Sequence, residues 1–149
     1  MTQTRVAALR MLTRRDYTAV ELREKLLAKD HTPDHITAAL DSLIADGFLD
    51  ERRVAASYVR VASSVKGRGR LRIARELEAR GISKAIIREA LEALPAEDEA
   101  ESIRHFLERR RLPRHLPAAD HRRLFAQLLR RGFSTDVIAR VMRDRREST

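Results

Sequence analysis

The chain contains no cysteine and no tryptophan, only five glycines and four prolines among 149 residues, and 4% aromatic side chains. Without cysteine there is no disulfide and no thiolate metal site, which fits a reducing compartment. With so few aromatics, any core must be built from Leu, Ile, Val and Ala. Sparse glycine and proline leave few places where a helix must stop. No apolar run approaches the roughly 18 residues of a membrane span, and there is no apolar signal-peptide core, so a soluble, cytoplasmic protein is expected. Catalytic signatures are also missing. His31 and His35 are four apart, but the Thr32-Pro33 turn separates them. His105, His115 and His121 lack metal-ligand spacing with carboxylates, and no nucleophile motif is visible. No enzyme activity, metal or cofactor is expected.

Charge, by contrast, is abundant and uneven. Charged residues make up 36% and apolar ones 43%, a balance that suits helices with one buried stripe. The net charge is +9, yet residues 1–51 hold seven Lys or Arg against nine Asp or Glu. The positive excess therefore lies in the remaining two-thirds, which points to a polyanion or an acidic protein surface as partner. Arg outnumbers Lys by 27 to four, so Arg-rich codon usage accounts for part of the excess but not for its asymmetry.

Residues 72–91, RIARELEARGISKAIIREAL, read as two short helices and a tight turn. Ile73 and Leu77 form one stripe, and Ile82, Ile86, Ile87 and Leu91 a broader one. Gly81 suits a helix end at positive φ, and Ser83 suits an N-cap. An offset of 51 residues reproduces this grammar on both sides. Leu77 aligns with Leu26 and Leu128, Gly81 with Asp30 and Gly132, Ser83 with Thr32 and Ser134, and Ile87 with Ile36 and Ile138. Such self-similarity is the mark of a repeat architecture. The fold expected is all-α: nine helices in three tandem three-helix modules, at about 4–49, 50–95 and 97–145. Thr18 with Glu21 forms a capping box, and Thr32-Pro33-Asp34 and Asp50 are further start signals. Val54, Tyr58, Val61 and Val65 form the expected buried stripe of the fourth helix, flanked by Ala55 and Ala62.

Before the central helix lies Lys66-Gly67-Arg68-Gly69-Arg70, whose cations suit phosphates or carboxylates. It is not a P-loop, because no strand precedes it and the Lys-Ser/Thr spacing is absent. Lys66, Arg68, Arg70, Arg72 and Arg75 are the first-choice contact residues. Arg72 and Arg75 lie off the Ile73–Leu77 stripe and should point outward. Arg109, Arg110, Arg111, Arg130 and Arg131 are second choices, with a helix-dipole role as the alternative.

Several stretches resemble the RecX family of regulatory proteins. They are Tyr17-Thr18 with Glu21-Leu22, Gly47 to Ala55 with Tyr58-Val59, Gly67 to Gly81 with Arg72-Ile73 and Glu76-Leu77, and Arg130 to Ser134 with Ile138. The resemblance covers about residues 5 to 145, with Val54 standing where that family often has Phe. It implies tandem three-helix repeats in an elongated curved array, and a protein that is not an enzyme and binds RecA and the RecA–DNA filament; a monomer is expected. It also implies inhibition or modulation of ATP hydrolysis, strand exchange and filament assembly in DNA repair and recombination. The alternative is a direct helix-turn-helix-like DNA-binding regulator, though Lys84, Arg88 and Glu89 do not form a clear base-reading set. A scaffold unrelated to recombination would need only the repeats.

Overall fold

The computed structural model describes residues 2–148, and among these the chain forms nine α-helices and no strand. They are α1 (Gln3–Arg14), α2 (Ala19–Ala28), α3 (Pro33–Ala45), α4 (Glu51–Ser64), α5 (Arg70–Ala79), α6 (Lys84–Glu92), α7 (Ala96–Arg109), α8 (Ala118–Arg130) and α9 (Thr135–Glu147). Among the described residues, no helix is long and apolar enough to cross a membrane. The start signals act as expected in the first two modules. Thr18 and Glu21 complete their capping box, Pro33 opens α3 behind Thr32, Asp50 accepts from Arg52 and Arg53, and Ser83 accepts from Ile86. Ser134 departs from this pattern. Its side chain makes no cap bond, and its backbone N–H instead donates to the Glu99 carboxylate at 2.6 Å.

Each group of three helices closes over its own apolar core. Leu22, Leu26, Ile36, Leu40 and Leu43 fill the first; Val54, Val59, Ile73, Leu77 and Ile87 the second. Ile103, Leu107, Leu128, Phe133 and Ile138 fill the third. The register partners Leu26, Leu77 and Leu128 are all fully buried. The α4 stripe differs from expectation. The helix buries Val54, Ala55, Val59 and Ala62, whereas Val61 and Val65 are 41% and 76% exposed. The small side chains of Ala55 and Ala62 let α4 lie close to its neighbours. It packs against α5, α6 and α7, so close backbone approach outweighs the larger valines in setting the helix rotation.

Adjacent modules meet in the same way twice: the start of one module's second helix docks on the last turn of the next module. Thr18 Oγ1 donates to the Arg80 carbonyl at 2.6 Å. Fifty-one residues on, the Gly69 N–H donates to the Arg131 carbonyl at 2.9 Å, and the Leu71 N–H to the Gly132 carbonyl at 3.0 Å. The segments approach so closely that neither turn glycine has room for a side chain. A Cβ on Gly81 would lie 2.5 Å from Val20 Cγ2, and one on Gly132 would lie 2.4 Å from the Arg72 backbone nitrogen. Both glycines also hold φ near +90°, at +89° and +94°, which L side chains rarely adopt. The equivalent turn of the first module carries Asp30 at φ 68°, and the adjoining His31 is bonded to Thr4 of its own module.

A carboxylate from the following module's first helix enters each junction beside the N–H of the first residue of the docked helix. Glu99 accepts from Arg70 at 3.3 Å, and Glu51 lies against the Ala19 N–H, which lowers its carboxyl pKa. A carboxylate is favourable at both helix N-termini, where free N–H groups and the dipole converge. Glu51 is the less satisfied of the two, because its buried Oε2 has no hydrogen-bond partner. Burial pushes its carboxyl up, the Ala19 N–H opposes this, and the nearby Glu21 charge adds to the rise. A raised folded-state pKa means that ionising Glu51 costs the folded state, so its effect on stability is unfavourable above the carboxylate range and absent in acid. Glu51→Gln should therefore melt at a higher temperature than the parent at neutral pH. The advantage should vanish on acidification, and an equal or lower melting temperature at neutral pH would contradict this placement.

Candidate functional site

The expected contact cations separate into two groups. Arg68 and Arg70 hold the fold together. The Arg68 guanidinium pairs with Glu76 and reaches the Tyr58 hydroxyl at 3.2 Å. Arg70 donates to the Leu91 and Leu94 carbonyls at 2.9 and 3.0 Å, so it ties the start of α5 to the end of α6. Charge reversal at these two positions would therefore disturb the fold as well as the surface. Lys66 is exposed, and Arg75 is exposed with its Nε on the Leu71 carbonyl of its own helix. Arg109, Arg111 and Arg130 are exposed, and none of them forms an ion pair among the described residues.

Arg72, Arg110 and Arg131 come together at the junction of the second and third modules. Arg131 lies in the turn between α8 and α9, with its guanidinium carbon 4.5 Å from the centre of the Phe106 ring. Arg110, at the end of α7, lies over the same ring at 4.3 Å and donates to Gln127 at 3.0 Å. The close approach of Gly132 brings Arg72 alongside. Burial, followed by the positive charges of Arg110, Arg109 and Arg72, pushes the Arg131 guanidinium below its usual value. An arginine still remains charged under such a shift, so like charges are held together here at an electrostatic cost. Stacking on Phe106 offsets part of it. The carboxylate at hand, Glu76, is divided between Arg68 and the more distant Arg72, at 3.7 Å.

The first junction contains the same frame with its charge balanced. There Arg80 lies over the Tyr58 ring at 5.6 Å, as Arg131 does over Phe106. It donates to Glu21 at 3.0 and 3.2 Å, and Arg15 adds a looser pair at 3.7 Å. Burial alone would raise the Glu21 carboxyl. Bonds from Arg80 and the Thr18 backbone, with the charges of Arg80 and Arg15, hold it below the ordinary value instead. In the 51-residue register, Arg80 corresponds to Arg131, Arg15 to Lys66, and Glu21 to Arg72. The second junction thus carries a cation where the first carries its neutralising carboxylate. Phe106 was not among the sequence candidates, because an aromatic at helical spacing reads as core. The substitution of Arg72 for Glu21 was present in the repeat alignment.

Protein-family comparisons agree with this three-part construction. Models described as the first, second and third three-helix domains of RecX match residues 5–43, 50–91 and 97–142. The chain is 38% identical over 139 residues to the regulatory protein RecX of Halorhodospira halophila, covering 90% of this chain and 83% of that one. It is 38% identical over 140 residues to the regulatory protein RecX of Trichlorobacter lovleyi, covering 89% of each. The crystal structure of RecX from Lactobacillus salivarius shares the fold, with a TM-score of 0.89 over 98% of this chain and 96% of that one, at 24% identity. Matched in each of its three modules and along most of its length, the chain belongs to the RecX family of regulatory proteins.

Proposed function

We propose that this chain binds RecA and the RecA–DNA filament and restrains RecA's ATP hydrolysis, strand exchange and filament assembly. It acts as a cytoplasmic, non-enzymatic monomer of three modules, residues 4–49, 50–95 and 97–145. The observation that carries this reading is the group of Arg72, Arg110 and Arg131 shared by two modules, in which, among the described residues, only Arg72 has a carboxylate partner, Glu76 at 3.7 Å. The family's regulatory designation supports it. Such a face suits a partner with a high density of negative charge, and a row of small modules suits a partner that is itself repetitive. The exposed cations Lys66, Arg75, Arg109, Arg111 and Arg130 extend the same field and favour encounter more than final affinity.

Binding to RecA-coated single-stranded DNA, compared with binding to bare duplex DNA across a salt series, tests the reading. Tighter binding to the coated strand, weakening as salt rises, is expected. Tighter binding to bare duplex would favour a direct DNA-binding regulator, and indifference to both would remove recombination from the function.

A further inference from the structure

We infer that the second junction is an oxyanion site whose ligand is a phosphate of a nucleic-acid backbone, and that the bound phosphate ties the second and third modules together. The inference deepens the function proposed above, from which it takes only that the arginine face meets the partner. The first junction supplies the template. Its Arg80, stacked on Tyr58, is satisfied by the Glu21 carboxylate. The second junction repeats the stacked arginine but has Arg72 in the register of Glu21, so among the described residues Arg131 has no carboxylate partner. The adjoining Arg110 adds another guanidinium over the same ring. An anion supplied from outside would take the place that Glu21 fills in the first junction.

Three features favour phosphate over a protein carboxylate. The guanidiniums come from three elements: Arg72 from the start of α5, Arg110 from the end of α7, and Arg131 from the turn before α9. A tetrahedral oxyanion can accept from forks that converge from several directions, whereas a planar carboxylate is matched by one fork. Nucleic-acid interfaces are polar and strongly positive, whereas the centres of protein interfaces are depleted of charge. The ring in the site, Phe106, is buried beneath its two arginines and offers no platform on which a base could stack. The ligand would therefore be held by its backbone, without base readout. Because Arg72 belongs to one module and Arg110 and Arg131 to the next, an oxyanion between them relieves their repulsion and bridges the junction.

The test uses the intact protein without RecA, with a fluorescent oligodeoxythymidine as probe in low salt. The variant Arg72→Glu installs in the second junction the carboxylate that the first already has. It should bind the oligonucleotide about tenfold or more weakly than the parent, as expected when one good charge-assisted hydrogen bond is removed. The same substitution should raise the melting temperature of the unliganded protein, since attraction to Arg131 and Arg110 outweighs the loss of the loose 3.7 Å pair with Glu76. Arg10→Glu, the same charge change on an exposed face of α1, should bind nearly as well as the parent. Arg110→Gln, which adds no new charge, should also weaken binding and keeps the site testable if Arg72→Glu folds poorly. Equal losses in Arg72→Glu and Arg10→Glu would overturn the site in favour of net charge alone. A lower melting temperature in Arg72→Glu would overturn the correspondence with Glu21. Binding of poly-glutamate where the oligonucleotide does not bind would assign the site to an acidic protein segment. Any of these outcomes could coexist with suppression of RecA's ATPase, so failure of the phosphate site and failure of the proposed function are distinguishable.

Discussion

Replacing Leu77 with alanine is expected to remove about 2–5 kcal/mol of stability, the range for deleting a fully buried leucine side chain where the surroundings cannot collapse. Leu77 has no exposed surface and sits in the core formed by α4, α5 and α6. Collapse around the cavity is resisted from both sides. The start of α5 is fastened to the third module through Gly69 and Leu71, and the turn after it is fastened to the first through Arg80. In an array of small modules, stability is the sum of intrinsic terms and nearest-neighbour interfaces, so weakening the central unit weakens both junctions. Leu77→Ala should therefore lower the midpoint of thermal or urea unfolding for the whole chain, beyond any local fraying. The equivalent change at Leu26, in a module with one neighbour, should cost the array less cooperativity. An unchanged midpoint for Leu77→Ala would remove Leu77 from the core.

The largest functional effect is expected from neutralising the second junction. The triple variant Arg72→Gln, Arg110→Gln, Arg131→Gln should keep its fold, because the helices on either side retain their backbone and Glu99 ties. Relief of like-charge repulsion offsets the missing stacking on Phe106. Each charge-assisted hydrogen bond to the partner is worth about 1.5–3 kcal/mol, so half-suppression of RecA's DNA-dependent ATPase should need on the order of a hundredfold or more of the variant. The parent's advantage should shrink as salt rises, because the attraction is screened. Arg68 and Arg70 are unsuitable for this experiment. Their guanidiniums satisfy Glu76 and the carbonyls that end α6, so replacing them would confuse unfolding with weakened binding. A folded triple variant that suppresses as well as the parent would exclude the junction as the binding surface.

The repeat was legible in the sequence because three independent signals share one register: the apolar stripe, the turn and the cap. Leu26, Leu77 and Leu128 show this most simply, being aligned at the 51-residue offset and buried alike. The rotation of α4 was less legible. Val54, Tyr58, Val61 and Val65 follow helical spacing, but α4 touches three helices, and the alanines rather than the outer valines face them. The roles of Arg68 and Arg70 were hidden for a different reason. A long cationic side chain looks the same in sequence whether it ends in solvent or on a main-chain carbonyl, and only the fold decides. Ser134 carries a cap residue's identity without its bond: its hydroxyl accepts from no helix N–H, and its own backbone N–H donates to Glu99 from a neighbouring helix. The candidate site lay between these cases. Arg72, Arg110 and Arg131 were all visible as cations, and the exchange of Glu21 for Arg72 was visible in the offset. Its meaning emerged only when the junction placed both positions against an arginine stacked on an aromatic ring.

The most direct measurement is an electron cryo-microscopy reconstruction of this protein bound to RecA filaments on single-stranded DNA. The expected result is continuous density for three helical modules along the filament, with Arg72, Arg110 and Arg131 turned toward it and their guanidiniums against anionic groups. A complex in which these three residues face solvent, with the chain held by its first module or by the opposite face, would contradict the assignment of the second junction as the regulatory contact.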